Sequence, residues 1–185
     1  MELQALREAR FSAPTTLPVF GYQLRPDAPE LLLARIAINE LRQSHPTPVV
    51  SNVKSVYMSP WVSHLINPKL GPICRLAESL CAKAAKDHWN VDPKIVSFKV
   101  WNCWGAIYET ADHTVSHSHF PADLSCVAYL EAESNCAPIV FDNHLQVNPV
   151  PGAFVIFPSI LFHHVPKTTG KRTIVALNMH KEVKT

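Results

Sequence analysis

The chain has 185 residues, enough for one domain with a substantial core and, on length alone, only one. Apolar residues make up 47% and charged residues 17%, a globular composition that excludes intrinsic disorder. A formal net charge of +2 without a Lys/Arg run gives no argument for nucleic acid, and no apolar run approaches the roughly 20 residues a membrane helix needs.

Sixteen prolines against five glycines imply stiff loops. The five cysteines, at 74, 81, 103, 126 and 136, are odd in number and form no CxxC pair. That pattern predicts free thiols in a reducing, cytoplasmic compartment rather than a disulfide framework. Met1-Glu2-Leu3-Gln4 lacks a basic region followed by an apolar run, so no signal peptide is expected.

In chain order, a proline-punctuated extended lead precedes a first helix that begins at Pro29-Glu30, with Asp27 in position to cap it. Leu31, Leu32, Ala34, Ile36, Ile38 and Leu41 recur at near-helical spacing towards Ser44, and Pro46 and Pro48 stop the helix. Ser51 to Ser55 reads as a polar loop, with Tyr57 and Trp61 as large anchors beyond it. A second helix is predicted from about Leu70 to His88, on the apolar stripe Ile73, Leu76, Ala77, Leu80, Ala84 and Ala85, ended by Trp89-Asn90 and Pro93.

After Pro93 the texture changes. Short segments rich in β-branched and aromatic residues follow at Ile95 to Tyr108, Leu124 to Glu131, Pro138 to Phe141, Ala153 to Pro158, Phe162 to Pro166 and Arg172 to Met179. Two helices and then a run of strands predict a mainly β fold with supporting helices, a buttressed sandwich or jelly roll. With no repeat and no low-complexity linker, residues 1–185 read as one domain, helical and extended to about 93 and β from about 94 to 181.

The residues that could carry chemistry cluster in the β part. His117 and His119 stand at i and i+2, a spacing that on a strand points both side chains the same way. Two imidazoles on one face can share a metal, and a third ligand from a distant strand would make a facial set that leaves coordination positions open. His163 and His164 are adjacent, so on a strand only one can face inward, and alternation does not say which. Arg172 opens an apolar strand. Pointed inward, it would be a buried unpaired cation in need of an anion. Tyr108 and Asn102 could hydrogen-bond a cosubstrate, and Trp101, Trp104 and Phe120 could wall a pocket. His113 and His164 could stand behind the ligands, and Asp123 and Asp142 are the nearest carboxylates. Cys103, Cys126 and Cys136 lack zinc-site spacing and read as small buried residues.

From Trp101 to Asn178 the sequence resembles a family of iron(II)/2-oxoglutarate-dependent oxygenases, hydroxylases related to prolyl 4-hydroxylases and found mainly in bacteria and phages. The matching elements are Trp101-Asn102, His117-Ser118-His119, Leu124-Ser125 leading to Tyr129-Leu130, Pro151-Gly152, Phe157-Pro158-Ser159 with His163 and Val165, and Arg172 with Asn178. Upstream, Ser51-Asn52-Val53 is similar to a further family element. The resemblance implies a double-stranded β-helix, a cupin-like jelly roll. It maps His117, His119 and His163 onto the metal positions and Arg172 onto the residue that grips the distal carboxylate of 2-oxoglutarate, with Tyr108, Asn102 and Asn178 as candidate cosubstrate-binding residues beside it.

The resemblance thus implies iron(II) and 2-oxoglutarate as cofactors and a hydroxylated substrate, small-molecule or peptidyl, with succinate and carbon dioxide released. Where the usual triad has Asp or Glu two residues after the first histidine, this chain has His119, as does the branch it most resembles. Three neutral imidazoles leave the metal one unit more positive than two imidazoles and a carboxylate. That set also suits a three-histidine, cupin-like dioxygenase that does not use 2-oxoglutarate, and a closed four-ligand site would mark a non-catalytic jelly-roll protein. The sequence carries neither the substrate's identity nor the oligomeric state.

Overall fold

The computed structural model describes residues 16–142 and 144–184; the expectation for Met1 to Gln4 lies outside them, as does most of the extended lead. Three α-helices, α1 (Pro29–Ser44), α2 (Ser63–Ile66) and α3 (Gly71–Trp89), are joined to eleven strands, with a 3-10 turn at Pro68–Leu70 leading into α3. The strands are β1 (Phe20–Gln23), β2 (Val53–Lys54), β3 (Tyr57–Met58), β4 (Val96–Tyr108), β5 (His113–His117), β6 (Leu124–Ala132), β7 (Ile139–Phe141), β8 (Leu145–Val147), β9 (Ala153–Pro158), β10 (His163–Val165) and β11 (Arg172–Val183).

Both long helices form where apolar spacing predicts them. Pro29 starts α1, its missing N–H costing nothing at that position. Asp27 does not cap it. The N-cap is Ala28, which makes no side-chain hydrogen bond, and the Asp27 carboxylate instead takes Arg25 Nε at 3.0 Å and Nη2 at 2.6 Å. The arginine two residues away outcompetes the helix N–H groups for the carboxylate. Asn90, in the left-handed conformation at φ 54°, ends α3 and sends its N–H back to the Ala85 carbonyl.

The strands form two antiparallel sheets, one ordered β1-β9-β6-β11-β4-β3 and the other β2-β5-β10-β7-β8. Alternation divides the long strands between two cores. Cys103 on β4 and Val175 and Leu177 on β11 face α1 and α3, packing with Leu31, Ile38, Leu41, Ile73 and Ala77. Trp104, Ala106 and Tyr108 on β4 and Ile174 and Ala176 on β11 face the space between the sheets, with Tyr129, Phe141 and Phe157. Each large side chain buried there contributes roughly 1.5–3 kcal/mol, so the two cores hold the sheets in fixed register. Arg172 shares its parity with Ile174 and Ala176, and the strand therefore delivers a cation into the inter-sheet space.

Candidate metal centre

His117 is the last residue of β5 and sits directly opposite His163 on β10. The next pair, Val165 with Thr114, shows that two residues on β10 span three on β5. This bulge resets the alternation, so Thr114 and His117 both line the inner cavity although their parities differ. His119 lies beyond the strand rather than on it. Its backbone N–H donates to the Ser159 carbonyl at 2.7 Å, and its own carbonyl accepts from the Ala122 N–H at 3.0 Å. Two different devices, a bulge and a turn, bring these rings to one place.

The ring centroids of His117, His119 and His163 lie 4.3 to 5.0 Å apart, and one nitrogen from each falls within 4.8 Å of the others. His163 is buried, and the other two are half-buried. His117 Nδ1 lies 2.8 Å from the Val115 carbonyl, and His163 Nδ1 lies 3.1 Å from the Leu161 carbonyl. A carbonyl only accepts, so both Nδ1 atoms carry the proton and both Nε2 atoms keep a free lone pair. Burial pushes the His119 pKa down to about 2 and that of His163 down to about 4, helped by the neighbouring imidazoles, and lowers that of His117. Three neutral nitrogen donors converge with no carboxylate among them. Such a set fits a divalent transition metal and leaves half of an octahedron open.

The other titratable candidates stand elsewhere. His164 points to the opposite side of β10 from His163, where it shares an open groove with His113. Asp123 accepts from the Lys181 backbone N–H at 2.9 Å and faces the His180 and Lys181 side chains, and neither it nor exposed Asp142 belongs to the histidine cluster. All five cysteines are buried and free; Cys103 and Cys126 pack against the helices, and Cys136 Sγ donates to the Lys171 carbonyl.

Two lobes meet at the histidines. The inner one runs between the sheets and is lined by Arg172, Tyr108, Thr114, Tyr129 and Ile174. Arg172 is 2% exposed, its Cζ lies 4.3 Å from the centroid of the Tyr108 ring, and Nη1 donates to the Ala137 carbonyl at 2.8 Å. Its Nε has no acceptor, and among the described residues no carboxylate pairs with it. The Tyr108 hydroxyl shares a 2.8 Å hydrogen bond with Thr114 Oγ1 and so braces the ring beneath the guanidinium. A buried cation without a counter-ion is a receptor for an anion.

The outer lobe opens to solvent between Trp61, Trp101, Phe120 and Asn52, with Asn178 at its wall. Val53, Trp104, His117 and His119 line both lobes, which puts the histidine nitrogens at the junction. Asn102 lines neither lobe, although it pairs with Asn178 across β4 and β11. Thr114 and the wall position of Trp61 were not foreseen from sequence. Thr114 faces inward only because of the bulge, and Trp61 reaches the cleft through the single bridge from Val62 to Cys103.

No family model and no curated protein matches the sequence. Solved structures do. The fold is similar to a prolyl-4-hydroxylase of Pseudomonas putida at TM-score 0.62 and 16% identity, over 89% of this chain and 94% of that one. It is similar to SnoN, a non-heme α-ketoglutarate-dependent epimerase of nogalamycin biosynthesis, at 0.65 and 12%, over 90% and 80%. EctD from S. alaskensis, solved with 2-oxoglutarate and 5-hydroxyectoine, superposes at 0.63 with 12% identity, over 88% and 71%. The chain has the double-stranded β-helix fold of 2-oxoglutarate/iron(II) oxygenases. Its two antiparallel sheets both line the inner lobe, where the histidine cluster sits.

Proposed function

We propose that the protein is an iron(II)- and 2-oxoglutarate-dependent oxygenase that hydroxylates a C–H bond of its substrate. The observation that carries this reading is the pairing, in one cavity, of three neutral imidazoles with a buried arginine that has no counter-ion. His117, His119 and His163 would hold the metal. Arg172 would take the distal carboxylate of 2-oxoglutarate through paired charge-assisted hydrogen bonds, oriented by Tyr108 below it. Iron and 2-oxoglutarate, when bound, would supply the oxidising chemistry with dioxygen as the oxidant, one oxygen atom going to succinate as carbon dioxide leaves the keto acid and the other to the substrate C–H bond. This chain's side chains orient both ligands and exclude water through the aromatic residues around the inner lobe. The outer lobe would hold the substrate, small-molecule or peptidyl, facing the metal's open side. Five free cysteines agree with a reducing, intracellular setting.

A three-histidine dioxygenase that acts without 2-oxoglutarate is the second reading, favoured by the lack of a carboxylate in the cluster. One titration separates them. 2-Oxoglutarate is added anaerobically to the iron(II)-loaded protein while the visible charge-transfer band of the chelate is followed, with Arg172→Ala beside the wild type. A band in the wild type and at least tenfold weaker binding in the variant supports the first reading. Bound iron with no band removes it and promotes the second.

A further inference from the structure

The outer lobe differs from the inner one in charge, surface and hydrogen-bonding sense. Among the described residues, no Asp, Glu, Lys or Arg lines it. Its walls are aromatic: Trp61, Trp101 and Phe120 are exposed at 38%, 47% and 73%, and Trp61 meets Trp104 edge to face at a centroid distance of 4.8 Å. Beside the His117 lone pair and the Ser118 hydroxyl, it offers three uncommitted donors. Trp104 is 2% exposed, yet its Nε1–H has no acceptor, and Asn52 Nδ2 is likewise buried and unpartnered. Asn178 has given its Oδ1 to the Ser125 hydroxyl at 2.9 Å, which leaves its amino group. Each buried unmade hydrogen bond is a cost that an incoming acceptor would remove. A charged ligand would have to shed its water there with no charged side chain of the described residues to pair with it.

We infer that the outer lobe receives an uncharged ring bearing carbonyl acceptors, a cyclic amide or imide, stacked on the aromatic walls with a carbonyl oxygen on Trp104 Nε1–H. The free space of about 240 Å³, open to solvent, accommodates such a ring. Only the naming of this ring as the substrate rests on the oxygenase reading; its recognition does not. The two lobes then sort ligands by charge, the acid going to Arg172 and the neutral ring to Trp104.

The test is a titration read on the indole N–H signals of the ¹⁵N-tryptophan-labelled full chain, which has four tryptophans, assigned by single Trp→Phe variants. Uracil, glutarimide and 2-piperidone are the neutral probes, and orotate is uracil with a carboxylate added. Metal-free and zinc-loaded protein are both titrated, without 2-oxoglutarate. The expected result is a saturable downfield shift of the Trp104 N–H with at least one neutral ring, a smaller shift at Trp61, and at least tenfold weaker binding of orotate. Trp104→Phe, which keeps a ring but removes the donor, should weaken the same probe about tenfold as read at Trp61. Orotate binding as tightly as uracil, or a Trp104 signal unmoved by all three rings up to their solubility, overturns the inference. Ring binding in a protein that gives no charge-transfer band with 2-oxoglutarate would leave this inference standing and remove the oxygenase reading.

Discussion

The histidines and Arg172 hold opposite kinds of unmet demand. Neutral imidazoles at His119 and His163, with pKa values pushed down to about 2 and about 4, are kept neutral at the expense of protonation the unfolded chain would accept. Below pH about 6.5 the unfolded chain binds more protons at these positions than the folded one, so stability of the metal-free protein falls as pH falls. The loss is expected to reach about 1.4 kcal/mol per pH unit for each histidine that stays neutral, from about pH 6.5 down to the folded pKa. Urea unfolding of the metal-free protein between pH 7 and 5 checks it, and a His163→Gln variant should show a shallower slope. Arg172 makes the reverse case, since it is charged and buried without a counter-ion. Arg172→Met fills similar space without charge, at the loss of one hydrogen bond to the Ala137 carbonyl and the stacking on Tyr108. The ligand-free variant is expected to gain about 1 kcal/mol in urea unfolding, because removal of an unpaired buried charge outweighs those two contacts.

Among the elements, β4 receives the side chain of fully buried Ile38 from α1 at Gly105, where an added Cβ would run into it. Gly105 also accepts from the Ser59 N–H and donates to Ser59 Oγ, which ties β4 to the segment before α2 and holds Trp61 near the site. Gly105→Ala is therefore expected to cost about 2 kcal/mol, and Ile38→Val in the same chain to recover part of it, as a double-mutant cycle in urea would show. The long helices were legible from sequence because each spans enough residues for its period to show, as in Gly71–Trp89, and buried strands such as Ala153–Pro158 because they are apolar, β-branched and aromatic runs next to turn signals. The two-residue strands at Val53–Lys54 and Tyr57–Met58 carry no period and exist only through partners on β5 and β4. The same limit applies inside the site. Alternation along one strand could not decide between His163 and His164, because the choice is made by the pairing of His163 with His117 and Phe141. The rings of His117 and His119 do lie together, but not as a strand pair, since His119 is held by Ser159 beyond the strand's end.

Across the whole molecule, ligands at the junction of the lobes contact both sheets at once: His117 and His163 belong to one, Arg172 and Tyr108 to the other. Anything bound there that the unfolded chain cannot bind stabilises the entire jelly roll by mass action, about 2.7 kcal/mol at a hundredfold excess over Kd. For a chain of this length that corresponds to a rise in Tm of about 5–10 °C. Zinc(II) or iron(II) alone should give one such rise. 2-Oxoglutarate should add a second, and only with metal present, because its chelating end needs the ion and its far carboxylate needs Arg172. In Arg172→Met the metal increment should persist while the 2-oxoglutarate increment disappears, starting from the higher ligand-free baseline argued above. A 2-oxoglutarate increment of equal size with and without metal would mean that the acid binds Arg172 without reaching the histidines, and the two halves of the cavity would then be separate sites.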